Sequence, residues 1–268
     1  MGGVILEIQN NVSKSGIDTI SAWGIMILYM LQIYYDFAGY SDIAMGLAYL
    51  FGFTFDKNFD FPYRSKSITE FWRRWHISLG RWFREYVYIP LGGSRKGLKK
   101  TLRNLMFVFI LTGIWHGAGW NYILWGVING VLVVLERVMR NKNWYQRIPG
   151  ALKWIGTLFI IMLLWQLFRF PYLTDIGHWA LLLCGRIKYE KILFTWRYFF
   201  TKRVICLLII GALGALFLGE PWIQKQYKRF ASTKLGYAIQ EMVLLLLFGL
   251  AILCMVNGNY SPFIYFQY

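Results

Sequence analysis

The chain has 268 residues, 57% of them hydrophobic and 19% aromatic, with a mean hydropathy of +0.42; soluble domains are nearer roughly 45–50% apolar, so that class is excluded. The formal net charge is +16, from 29 Lys and Arg against 13 Asp and Glu. The basic residues lie between charge-free apolar runs, which points to anionic lipid and membrane topology and away from nucleic acid.

The first residues do not read as a signal peptide: Glu7 interrupts them, no basic segment precedes a compact apolar core, and no small-residue cleavage site follows. The first charge-free run, Thr19–Tyr35, approaches the roughly 20 residues of a bilayer span. It leads into Tyr34-Tyr35-Asp36-Phe37-Ala38-Gly39-Tyr40-Ser41-Asp42. Asp36, nearer the membrane, is the better functional candidate, able to polarise a histidine or bind a metal. Asp42 reads as the N-cap of Ile43–Phe55, a run too short to span unaided and readable as re-entrant.

Lys57 to Arg103 carries twelve Lys or Arg against three acids, which predicts a cytoplasmic location. Within it, Ser67-Ile68-Thr69-Glu70 fits a capping box, with Pro62 before it and Pro90 ending the stretch. Wound at about 100° per residue, Phe71–Tyr86 gathers Trp72, Trp75, His76, Leu79, Trp82, Phe83 and Tyr86 on one face. Arg73, Arg74, Arg81 and Arg84 gather on the other, which predicts an amphipathic interfacial helix. For His76 a satisfied core residue and a functional imidazole stand equally open. The arginine face reads first as a holder of phospholipid headgroups, and alternatively as a dock for an anionic acyl donor, a coenzyme A phosphate or an acidic carrier protein.

Leu105–Leu135 contains no charged residue and is broken at Gly117 and Gly119; it is long enough for one span and part of another. At about 1.5 Å of rise per residue, His116 lies roughly 20 Å from Arg103, past the midplane of a ~30 Å hydrocarbon core. So deep an ionisable group is costly, and the default reading is functional. Imidazole also suits proton transfer near neutrality. Arg137–Lys153 adds five basic residues. Trp154–Phe168, Val204–Gly219 and Met242–Tyr268 are further charge-free runs, and Lys225–Lys234 adds four more basic residues. If Leu105–Leu135 goes out and back, these basic loops fall on one side; Arg186–Arg203 is then basic but outside, and reads as an interfacial helix. The expectation is an all-α polytopic membrane protein with about six membrane segments, in one domain over 1–268. Cys184, Cys206 and Cys254 have no disulfide or metal spacing, and no metal site is expected. His178 beside Trp179 reads as interfacial and structural. No P-loop, dinucleotide turn, zinc His pair or Gly-x-Ser-x-Gly elbow occurs.

In order along the chain stand Tyr35-Asp36-Phe37-Ala38-Gly39-Tyr40-Ser41-Asp42, Asn58-Phe59-Asp60-Phe61-Pro62-Tyr63, Ser67-Ile68-Thr69-Glu70-Phe71-Trp72-Arg73-Arg74-Trp75-His76-Ile77-Ser78-Leu79, Tyr88-Ile89-Pro90-Leu91-Gly92-Gly93, Trp115-His116-Gly117 and the ending Ser261–Tyr268. This series closely resembles the membrane-bound O-acyltransferase family, in its bacterial alginate O-acetyltransferase branch, which is related to the teichoic-acid D-alanyl transfer protein. The resemblance covers nearly the whole chain. It implies helices around a tunnel through the bacterial cytoplasmic membrane, His116 as catalytic residue and His76 as the family's second marked histidine. It also implies an acyl group passing from a cytoplasmic thioester, acetyl-coenzyme A or an acyl-carrier protein, to hydroxyls of an extracytoplasmic polysaccharide, with a partner acyltransferase on that side. No bound cofactor is implied.

On this reading His116 acts as general base, Trp115, Trp120 and Trp125 wall the tunnel against water, and Asn121, Asp36 or a segment outside the chain fixes the His116 tautomer. Arg73 and Arg74 support donor binding, and His76 positions the donor end. Two departures stand out. Family members run much longer, so the N-terminal helices are expected to be missing here, and Asn129 stands where many relatives have a His. Two other classes stay open: a proton-relaying transporter component, and an inactive or partner-dependent scaffold.

Overall fold

The computed structural model describes residues 16–187, 189, 192 and 195–257; the residues before 16, Cys254 and the Ser261–Tyr268 ending, read above, lie outside what is described of backbone or side chain. The regular structure among the described residues is helical.

Helix α1, Thr19–Leu50, is continuous over 32 residues. Asp18 caps it, accepting from the Ser21 amide at 2.8 Å and the Ser21 hydroxyl at 2.9 Å. Its first half carries buried Ile25, Met26, Leu28, Leu31 and Ile33, while beyond Ser41 it is largely exposed. This corrects two expectations. Ile43–Phe55 is not a separate re-entrant segment, and Asp42 lies inside a helix and caps nothing. Gly39 and Gly46 are tolerated in mid-helix, and the stop comes only at Phe51-Gly52, where Gly52 takes φ 82°.

The predicted amphipathic helix is two short ones. Helix α2 is Ile68–Arg74 and helix α3 Ile77–Phe83, followed by a π-helical turn, Arg84–Tyr88. Between them Trp75 is extended and His76 is left-handed, with φ 47°. The break is made by pairing with the segment before: the Asp60 amide donates to the Arg74 carbonyl and the Ile77 amide to the Asn58 carbonyl, both at 2.9 Å. The helical wheel loses phase there, and Trp82 and Tyr86 end up exposed. Of the capping box, Ser67 accepts from the Glu70 amide at 3.0 Å, but Glu70 reaches the Lys66 amide in place of Ser67's. The Ile68 and Thr69 amides donate instead to the Glu136 carboxylate, at 3.0 and 2.7 Å. An anion at a helix N-terminus is favoured by the unsatisfied amides and the helix dipole.

Helices α4, Leu98–His116, and α5, Trp120–Met139, form a tight hairpin. A Cβ on Gly113 would meet the Tyr122 carbonyl oxygen at 2.5 Å, and one on Gly126 the Phe109 carbonyl oxygen at 2.5 Å. Small residues that let backbones touch are a usual means of helix association in lipid. After α6, Asn143–Arg147, helix α7, Gly150–Arg169, packs against α5 and α1; α8, Leu173–Leu183, and α9, Trp196–Phe199, close over the start of α1. Helix α10, Lys202–Phe217, bends by 96° into α11, Pro221–Ala231, a turn tied by Arg64 to Glu220 at 3.1 Å. The last helix, α12, Lys234–Asn257, leaves nearly all its described side chains exposed. The main core joins α1, α2, α5 and α7 through Tyr34, Phe71, Trp75, Trp125, Trp165 and Phe168.

Among the described residues three helices are long and apolar enough to cross a membrane: α5, α7 and α12 over Lys234–Leu253. The bent pair α10 and α11 makes a fourth if it counts as one span. The expected six is therefore too many among the described residues. Lys99, Lys100 and Arg103 occupy the first turns of α4 and leave it too short an apolar stretch, and α10 has 16 residues against the roughly 20 a span needs.

Gly126→Ala should lower the unfolding temperature in detergent, by overpacking on the order of 1–3 kcal/mol. Gly156→Ala, with nothing within 4 Å of its Cβ, should be neutral or stabilising by about 0.5–1 kcal/mol. Equal effects of the two substitutions would refute the close α4–α5 contact.

Candidate functional site

His116 is the last residue of α4. The chain turns at once through Gly117, where a Cβ would come within 2.8 Å of the Tyr122 ring, and re-enters as α5. The imidazole stands among the rings of Trp115, Phe168 and Trp125, at 4.8, 4.9 and 5.3 Å between centroids. These contacts are near edge-on, a favourable aromatic arrangement.

A cavity of about 490 Å³ opens beside it. Along α4 its wall is Thr101, Leu105, Val108, Phe109, Thr112 and His116, one helical stripe; along α5 it is Trp125, Val133, Glu136, Arg137 and Arg140. Each stripe covers 15 residues of rise, about 22 Å. The helices run antiparallel, so Trp125 lies at the His116 end, and Arg137 and Arg140 lie at the Thr101 end. Arg73 from α2 and Arg84 after α3 line the same cavity. These four arginines make no ion pair among the described residues; those that do are Arg64, Arg74 and Arg81. The nearby acids are otherwise engaged: Glu136 holds the α2 amides and the Tyr145 hydroxyl, and Glu70 pairs with Arg74 at 3.0 Å. The result is a largely apolar channel with an imidazole at one end, Arg137 and Arg140 at the other, and Arg73 and Arg84 in its wall.

A second cavity, about 550 Å³, is lined by Tyr40, Ser41, Asn58, Ser78, Arg81 and Trp115 among others. His76 lines both cavities. Its ring lies edge-on to Phe37 at 4.7 Å and 6.4 Å from Trp115. His76 belongs to neither span nor helix interior, and burial pushes its imidazole down to about 4 from 6.5, so it is neutral near pH 7.

The predicted site residues separate into two groups. His116, His76, Trp115 and Arg73 come together at the cavities. Arg74 does not: it bonds Glu70 and Asp60 and braces the α2 end. Asp36 is half-buried, interacts with Gln32 and lines neither cavity. Trp120 is 73% exposed and lines neither; Trp125, 1% exposed, lines the first. Asn121 donates to the Leu167 carbonyl at 3.0 Å, locking α5 to α7. Asn129 donates to the Trp125 carbonyl and accepts from the Trp72 indole at 3.0 Å. His178 bonds the Tyr189 hydroxyl at 2.9 Å, a structural contact. No group of three or more His, Cys, Asp or Glu among the described residues could hold a metal. Sequence reasoning missed Glu136, Arg137, Arg140 and Asn58. The first three were signalled by a charge cluster closing the long apolar run, and Asn58 by its place at the head of the Asn58-Phe59-Asp60-Phe61-Pro62-Tyr63 series.

Comparison with known proteins adds the following. Residues 9–174 match the family model for MBOAT, the membrane-bound O-acyltransferase family. A probable alginate O-acetylase of Pseudomonas putida is 36% identical over 276 residues, covering 93% of this chain and 54% of that protein. A peptidoglycan O-acetyltransferase of Helicobacter pylori is 41% identical over 152 residues, 56% of this chain and 29% of that one. A teichoic acid D-alanyltransferase of Bacillus subtilis is 36% identical over 143 residues, 50% of this chain and 36% of that one. The chain spans about half the length of the alginate-type relative.

The lowered pKa of His76 predicts a pH effect. A buried neutral imidazole contributes stability that is complete above the unfolded value of 6.5 and is lost as pH falls toward about 4. The unfolding temperature should therefore fall more steeply across that window for the wild type than for His76→Gln. Parallel curves would show that His76 is not buried as described.

Proposed function

Because the chain belongs to the membrane-bound O-acyltransferase family, we propose that it transfers an acyl group from a thioester donor on the cytoplasmic side of the bacterial cytoplasmic membrane to hydroxyls of an extracytoplasmic polymer. Its alginate-type and peptidoglycan relatives are named for acetyl transfer, which favours acetyl here and a polysaccharide or cell-wall glycan as acceptor. The observation that carries the reading is the first cavity, with His116 at one end, Arg137 and Arg140 at the other and Arg73 and Arg84 in its wall, none of the four in an ion pair among the described residues.

Arginine forks bind phosphate oxygens bidentately. Arg137 and Arg140 at the mouth, with Arg73 and Arg84 in the wall, would hold the phosphates of acetyl-coenzyme A, or of a carrier-bound arm, and the thioester would lie along the apolar stripes toward His116. His116 would remove the acceptor hydroxyl proton as the oxygen attacks the thioester carbonyl. The C–S bond then breaks, the ester forms, and the imidazolium returns its proton to the leaving thiolate. Trp115, Trp125 and Phe168 would keep bulk water from the thioester. Anionic lipids around the basic loops and an extracytoplasmic acyltransferase would be the other partners.

The test is acyl transfer in membranes from cells carrying the intact locus, read as polymer O-acetyl content and thioester consumption. His116→Ala should lower the rate by on the order of 10²–10⁴. Arg137→Ala with Arg140→Ala should raise the donor KM and leave kcat nearly unchanged. A folded His116→Ala protein acylating polymer at the wild-type rate would overturn the assignment.

A further inference from the structure

Where the two cavities meet, His76 is held by a network that the transfer chemistry has not used. The Asn58 side-chain oxygen lies 3.2 Å from His76 Nδ1, 3.1 Å from the Ser78 amide and 2.9 Å from the Ser78 hydroxyl. Its side-chain nitrogen donates to the buried Ser41 hydroxyl at 3.0 Å. The Asn58 backbone carbonyl takes the Ile77 amide at 2.9 Å. Asn58 thus grips the ring of a left-handed histidine and its C-terminal flank, while the Asp60 amide holds the flank before it.

The amide orientation follows from chemistry. A backbone N–H can only donate, so the Asn58 atom facing the Ser78 amide is the oxygen. That oxygen cannot donate to His76. An unprotonated Nδ1 would set two lone pairs against each other at 3.2 Å, and the Ser78 hydroxyl is the more distant neighbour of Nδ1, at 3.4 Å. A neutral imidazole carries one proton, so it sits on Nδ1 and Nε2 keeps a lone pair. Nε2 makes no hydrogen bond among the described residues.

We infer that Asn58 is a positioning residue that holds His76 as its Nδ1–H tautomer, so that His76 Nε2, where the two cavities meet, accepts a hydrogen bond from a substrate hydroxyl or amide and cannot give one. The functional half of this inference rests on the acyl-transfer reading above. The left-handed backbone fits it. Such a conformation is uncommon outside glycine, and strain of this kind persists where surrounding contacts over-determine it; here the Asn58 contacts do so.

The test uses the full chain in lipid nanodiscs, labelled with ¹⁵N-histidine. The three histidines, His76, His116 and His178, are distinguished by His→Gln variants. In the wild type the His76 Nδ1 should carry the proton and Nε2 should show the shift of an unprotonated nitrogen. Asn58→Ala should yield a mixture of tautomers and lower kcat about tenfold, the scale of losing a histidine's orienting partner, with the donor KM unchanged. Asn58→Asp, which keeps the acceptor oxygen, should restore both. A protonated Nε2 in the wild type, or an Asn58→Ala protein with wild-type tautomer and kcat, would overturn the inference. Absence of acyl transfer in the wild type would sink the enzymatic reading instead, and the tautomer would still decide the role of Asn58.

Discussion

The close approach of α4 and α5 at Gly113 and Gly126 is the constraint on which the rest depends. Lipid tails are as apolar as leucine, so helices in a membrane gain little from burying hydrophobic surface against each other and must pack by contact. With no side chain between the two backbones, the hairpin stays narrow and its register is set. That register puts Trp125 beside His116 and Arg137 beside the basic start of α4, so that one apolar channel joins them. A bulkier pair of residues would separate the helices and slide these groups out of line.

Around the hairpin, polar contacts do what hydrophobic packing cannot. A seven-residue helix such as α2 is too short to be stable alone. Its start is held by Ser67 and by the Glu136 carboxylate from across the cavity, and its end by Arg74 on Glu70 and Asp60. The chain then reverses its helical sense at His76, because the Asn58 segment claims the backbone groups on either side. Three carboxylates and one side-chain amide thereby determine where an imidazole stands between two cavities.

Some of this was legible in the residues. His116 was found because a charge-free run makes any ionisable group conspicuous, and Ser67 because a cap has a short-range signature. The helix from Phe71 to Tyr86 was misread because a wheel assumes unbroken winding, and nothing local in Trp75-His76 announces a break imposed by a partner segment some 17 residues earlier. Asp36 and Asn121 looked suited to a histidine partner by type, yet one interacts with Gln32 and the other with a carbonyl of α7; which polar group meets which is a property of the packing. The count of spans ran high for a related reason. A charge-free stretch ends where the charges begin, but α4 begins inside its charges. The arginines separated likewise: Arg73 and Arg74 are neighbours in sequence, yet one faces the channel and the other is a strut.

The arginines that line the channel without an ion pair have a consequence for the resting protein. Guanidinium groups that make no ion pair among the described residues attract whatever small anions the surrounding solution offers, and at physiological ionic strength the screening length is only about 8 Å. On the proposed reading, arrival of a phosphate-bearing donor at that mouth would be an exchange of counter-ions, driven partly by the release of those already gathered. Charge alone would hold free phosphate or an anionic lipid as readily as any acyl carrier, so discrimination has to come from depth: only a molecule whose arm reaches the far end of the channel touches the histidine.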